Sequence, residues 1–120
     1  MNTKEQLELS CKSIANELTN GIVMDESNID EYDDWELGEN VSASTYLEGS
    51  FDIEYTITSD LDYKGAKIAV ALGGPSIYIS TNTNEVVGYW GSDRVTVPFT
   101  DNIGVDAYCE ELYESKRFIL

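Results

Sequence analysis

The side chains able to do chemistry in this chain are mostly carboxylates, and they are concentrated. Between Asp25 and Asp62 stand thirteen Asp and Glu residues and no Lys, Arg or His, so one third of the 120 residues carries most of a net charge of −16. Solvated surfaces normally mix both signs, because like charges a few ångströms apart repel by about 0.5 kcal/mol per pair even in water. A repulsion of that size, repeated, needs a function to offset it.

Clustered carboxylates suit three kinds of chemistry. The first is binding of a hard cation, but Asp25-Glu26-Ser27-Asn28-Ile29-Asp30 has no glycine at the sixth position, where a calcium loop must turn. The second is acid–base catalysis by a pair such as Asp52 and Glu54, yet the outer face of a strand is wet and does not raise a carboxyl pKa. With no histidine in the chain, Ser-His-Asp and Cys-His mechanisms and histidine metal sites are excluded. Gly73-Gly74-Pro75 lacks the Lys-Ser/Thr pair of a phosphate loop, and Pro75 has no N–H to offer. It reads as a turn or bulge. The expectation is a chain that is not an enzyme and holds no cofactor or metal.

The third chemistry is imitation of a polyanion. Seven bases against twenty-three acids rule out direct nucleic-acid binding, which depends on Lys and Arg neutralising phosphates. A basic cleft built for DNA can instead be filled by a folded surface that repeats negative charge. The candidate partner-binding residues are Asp25, Glu26, Asp30, Glu31, Asp33, Asp34, Trp35, Glu36, Asp52, Glu54, Asp60 and Asp62. Two apart on a strand, Asp52 and Glu54 lie about 6.6 Å apart, close to twice the ~3.4 Å advance per phosphate on one DNA strand. On a short helix, Glu26, Asp30 and Asp33/Asp34 would share one side, opposite Ile29, Tyr32 and Trp35. Tyr32, Trp35 and Tyr46 suit either interface anchoring or core packing.

These residues need elements to hold them. Thr3-Lys4-Glu5-Gln6 reads as a capping box, and Leu7, Cys11, Ile14 and Leu18 follow at helical spacing until Asn20-Gly21. A short helix is expected from about Asn28 to Leu37, capped by Ser27 and stopped by Gly38, with an ordered loop as the alternative. From residue 51 the period becomes two: Phe51, Ile53, Tyr55 and Ile57 face one way, Asp52, Glu54, Thr56 and Thr58 the other. Strands are then expected over residues 66–72, 77–79, 86–90 and 94–99, with Pro98 marking an edge. A closing helix from about Asn102 to Lys116 places Val105, Tyr108 or Cys109, and Leu112 on its stripe, with Asp101 as cap. The predicted fold is α+β: an antiparallel sheet of four to five strands with an N-terminal and a C-terminal helix packed on one face, in a single domain over residues 1–120. Residues 38–50 read as the irregular connection. Cys11 and Cys109 sit on apolar helical stripes and read as buried thiols. No apolar run is long enough to span a membrane, and the N-terminus lacks a signal pattern, so a cytoplasmic protein is expected.

Gly73-Gly74-Pro75-Ser76-Ile77-Tyr78-Ile79, followed by Val86-Val87-Gly88-Tyr89-Trp90-Gly91, looks like a core found in short phage and plasmid proteins. Together with the small size, strong acidity and lack of histidine, it resembles the anti-CRISPR and anti-restriction inhibitors of phages and mobile elements. That likeness is to a class, covers roughly residues 65–115, and carries over no individual residue. It implies a cytosolic inhibitor that binds a host nuclease or CRISPR effector, often at its DNA site. The expected partner is therefore a host nucleic-acid-binding protein with a basic cleft, met by a monomer or homodimer. The alternative is a structural or regulatory interaction module whose acidity only confers solubility.

Overall fold

The computed structural model describes residues 2–22 and 40–117. Helix α1 (Thr3–Asn20) buries Leu7, Cys11, Ala15 and Leu18 along one face, and burial of each leucine contributes about 1.5–3 kcal/mol. Its cap is Asn2, whose side chain accepts the Glu5 N–H at 2.8 Å. The expected cap, Thr3, is instead the first helical residue, because Asn2 already reaches the third amide of the helix. At the other end Gly21 donates its N–H to the Glu17 carbonyl at 2.8 Å.

Five strands follow: β1 (Asp52–Ile57), β2 (Tyr63–Ala71), β3 (Ser76–Ser80), β4 (Glu85–Trp90) and β5 (Asp93–Pro98). They form one antiparallel sheet in sequence order, so β1 and β5 are its edges. Pro98 does lie on an edge strand. Helix α3 (Val105–Arg117) closes the described chain. α1 lies against β4 and β5, α3 against β2, and a four-residue helix, α2 (Ala43–Tyr46), against α3. Ser42 caps α2 by accepting the Thr45 N–H, which gives order to part of the connection expected to be irregular.

One buried cluster joins these layers: Leu7, Cys11 and Leu18 of α1, Ile68, Ile77, Ile79, Val86 and Val95 of the sheet, and Val105 and Cys109 of α3. Both thiols are free and buried, as their stripes predict. The fold is thus the expected α+β arrangement with five strands. Helix α3 begins three residues later than expected, after Gly104 at φ +83°. Asp101 still caps it, accepting the N–H groups of Gly104, Val105 and Asp106 at 3.0, 2.8 and 2.9 Å.

A bulge decides one contact between the layers. Thr56 pairs with Gly65 but Ile57 with Tyr63, so Lys64 is an extra residue in β2. Such an insertion flips the following side chain to the other face. Tyr63 therefore meets α3, where its hydroxyl donates to Asp106 Oδ1 at 2.7 Å.

Candidate surface for partner binding

Because the helices cover one face of the sheet, the strand period sends every second side chain to the other. Asp52, Glu54 and Thr56 of β1 lie exposed there, opposite the half-buried Ile53 and Tyr55 that pair with Ile68 and Ala66. The outward acidic pair expected from the alternation is thus present. One Asp52 oxygen accepts the N–H of Ile53 at 2.9 Å, which fixes that carboxylate against its own strand.

The acids do not have the uncovered face to themselves. Glu54 stands across from Lys67, and Asp52 across from Ala69. These four, with Leu72 and Tyr78, line a shallow cavity of about 140 Å³. Lys67 Nζ sits 4.3 Å from the centre of the Tyr78 ring. That ring meets Tyr89 edge-on at 6.1 Å, and the Arg94 guanidinium lies 5.9 Å from the Tyr89 ring. A diagonal stripe of cation, two aromatic rings and cation therefore crosses β2 to β5, of a kind worth about 0.5–1 kcal/mol per exposed cation–ring contact. The hydrogen bond from Arg94 Nε to the Tyr89 hydroxyl, at 3.4 Å, also raises the Arg94 pKa.

Sequence reasoning missed Lys67, Tyr78 and Arg94 as surface residues. The signal was present in the same period of two that located Asp52 and Glu54: each lies next to inward residues such as Ile68, Ile77 and Val95.

Asp60 and Asp62 are exposed in the turn after β1. Thr58 organises that turn: its hydroxyl accepts the N–H groups of Asp60 and Asp62 at 3.3 and 3.1 Å, and its own N–H donates to the Asp62 carbonyl at 2.8 Å. Leu61 takes the left-handed conformation, with φ 69°. Asp52, Glu54, Asp60 and Asp62 thus all belong to β1 and its following turn, and all are exposed.

Asp25, Glu26, Asp30, Glu31, Asp33, Asp34, Trp35 and Glu36 lie outside the described residues, as does the expected helix from Asn28 to Leu37. Val41 donates its N–H to the Ile22 carbonyl at 2.8 Å.

A separate set of tyrosines occupies the helix side of the sheet. The rings of Tyr55, Tyr63 and Tyr113 lie within 6.5 Å of one another, centre to centre, and Tyr113 donates its hydroxyl to the Leu61 carbonyl. Burial raises the Tyr63 pKa, and Asp106 adds to the rise against an opposing hydrogen bond with Thr81. Burial also raises that of Tyr55, with Cys109 and Tyr108 adding to it. The Tyr55 hydroxyl is buried with no hydrogen-bond partner among the described residues. Burial pushes the Cys109 thiol up to about 11, assisted by the Asp106 and Asp101 carboxylates, which makes it a poor nucleophile at neutral pH.

Among the described residues no group of three or more Cys, Asp or Glu converges on a point where a metal ion would sit, and no helix is long and apolar enough to cross a membrane. Comparison with protein-family models gives no match, and neither the curated proteins nor the solved structures give one.

Proposed function

We propose that this protein is a non-catalytic inhibitor of a host nucleic-acid-targeting defence protein, a CRISPR effector or a restriction enzyme. Its acidic surface occupies the basic cleft that the target keeps for DNA, in the host cytoplasm. The observation that carries this reading is the run from Asp25 to Asp62, thirteen acids with no base. Exposure of Asp52, Glu54, Asp60 and Asp62 on one strand and its turn supports it, since exposed carboxylates present their charge to solvent and to an approaching partner. Association would be steered by opposite charge and would weaken with salt. The test is a DNA-binding competition assay against a panel of CRISPR effectors and restriction enzymes. Competition with one of them, relieved by neutralising Asp30, Asp33, Asp34, Asp52 and Glu54 together, is the expected result. Competition with none, or competition that survives the neutralised variant, contradicts the mechanism.

A second reading is favoured by the stripe from Lys67 through Tyr78 and Tyr89 to Arg94. It interrupts the acidic face with bases and rings, and exposed aromatics beside arginine are typical interface anchors. In this reading the protein is an interaction module that docks through the uncovered sheet face, and its acidity keeps it soluble. Binding would then resist salt, and Tyr89→Ala would weaken it more than loss of any single carboxylate.

A further inference from the structure

Among the described residues the sheet ends at β5, and the hydrogen-bond phase of its hairpin fixes which backbone groups point outward. Phe99 donates its N–H to the Asn84 carbonyl at 3.0 Å, and Pro98, Thr96 and Arg94 pair with Glu85, Val87 and Tyr89. Bonded and non-bonded pairs alternate in an antiparallel ladder, so Val97 and Val95 exchange bonds with β4 while Arg94, Thr96 and Pro98 turn their backbone groups away. This explains why Pro98 is tolerated: its missing N–H is one that β4 does not use. Two N–H groups, of Arg94 and Thr96, and three carbonyls are thus presented along the free edge.

Beside this edge runs a groove of about 390 Å³ between β5 and α1, lined by Lys4, Glu8, Lys12 and residues 94–97. Lys4, Lys12 and Arg94 are three of the seven basic residues in a chain of net charge −16, and one carboxylate, Glu8, lies among them. We propose that the β5 edge is a peptide-binding site that accepts an extended acidic segment of a partner protein as a sixth strand. Backbone bonds to Arg94 and Thr96 would give it affinity, and carboxylates on the helix side of the added strand, facing Lys4 and Lys12, would give it selectivity. The segment spans about five residues, the length of β5 before Pro98. A second copy fits less well: a two-fold axis through the middle of the groove sets Glu8 against its own copy and Lys4 against Lys12, which repels. This site lies on a different strand from Asp52 and Glu54 and does not depend on the acidic surface.

The test uses the full-length protein, isotope-labelled, and two synthetic peptides: one alternating valine and glutamate, one alternating valine and lysine. The glutamate peptide is expected to bind at least tenfold more tightly, to shift the Arg94 and Thr96 amide resonances and to slow their hydrogen exchange. Thr96→Pro removes one outward N–H without touching a bond to β4 and should weaken binding at least tenfold. Lys4→Glu/Lys12→Glu, on the exposed side of a helix, should do the same even where the proline variant fails to fold. The proposal is overturned if both peptides bind equally or neither binds, if the Arg94 and Thr96 amides are already protected in the free protein, or if sedimentation shows a dimer that Thr96→Pro dissolves.

Discussion

Gly88 of β4 lies directly beneath Cys11 of α1, so closely that a Cβ at position 88 would stand 2.6 Å from Cys11 Sγ and 2.7 Å from Leu7 Cδ1. No real Cβ makes such contacts, and both neighbours are wholly buried. The glycine sets how near the helix comes to the sheet.

Gly88→Ala should accordingly destabilise the fold by about 1–3 kcal/mol, the usual cost of overpacking a filled core. Denaturant unfolding measures it. An unchanged midpoint would mean that α1 is free to lift from β4.

The two tyrosines on the helix side of β1 and β2 should respond to loss of a hydroxyl in opposite ways. Tyr63→Phe removes a bond to a carboxylate and should cost about 1–2 kcal/mol. Tyr55→Phe removes a buried hydroxyl with no partner among the described residues and should be neutral or stabilising by up to about 1 kcal/mol. Equal losses for both would show that Tyr55 has a partner in solution.

The thiols give a pH dependence with a definite sign. The Cys109 pKa rises on folding from 9.0 to about 11, and burial raises that of Cys11 as well. A raised folded-state value stabilises fully below the unfolded pKa and is lost as pH climbs to the folded one. Stability should therefore decline between pH 9 and 11, and Cys109→Ala should flatten the decline. In the native protein neither thiol should react with a colorimetric disulfide reagent, and both should react after unfolding. Rapid native labelling would contradict the packing.

How much was legible beforehand follows from which forces are local. The stripe of Leu7, Cys11 and Leu18 and the alternation from Phe51 to Ile57 are short-range patterns that located their elements. The stripe is buried as expected, but of the residues expected to face inward on β1 only Ile53 and Tyr55 pack on the core. Phe51 before the strand and Ile57 at its end are exposed because the strand ends leave them uncovered. Asp52 and Glu54 were placed outward on the same ground. What was missed depends on pairing between strands. The bulge at Lys64, which turns Tyr63 toward Asp106, leaves no mark in composition. Nor does the line from Lys67 to Tyr78, Tyr89 and Arg94, which exists only once four strands are in register. The cap at Asn2 was displaced by a single residue because Thr3 also has a capping side chain, and only geometry decides between them.

The central claim is that the negative charge carried by residues 25–62 does the binding. The most direct measurement is affinity for the target identified by DNA competition, at low and at physiological salt, for Asp52→Asn/Glu54→Gln and for Tyr78→Ala/Tyr89→Ala. The acidic-surface account predicts that affinity falls at least tenfold with salt and again with loss of the two carboxylates, while the tyrosine pair has a smaller effect. Affinity that ignores salt and the carboxylates but collapses with the tyrosines would contradict it.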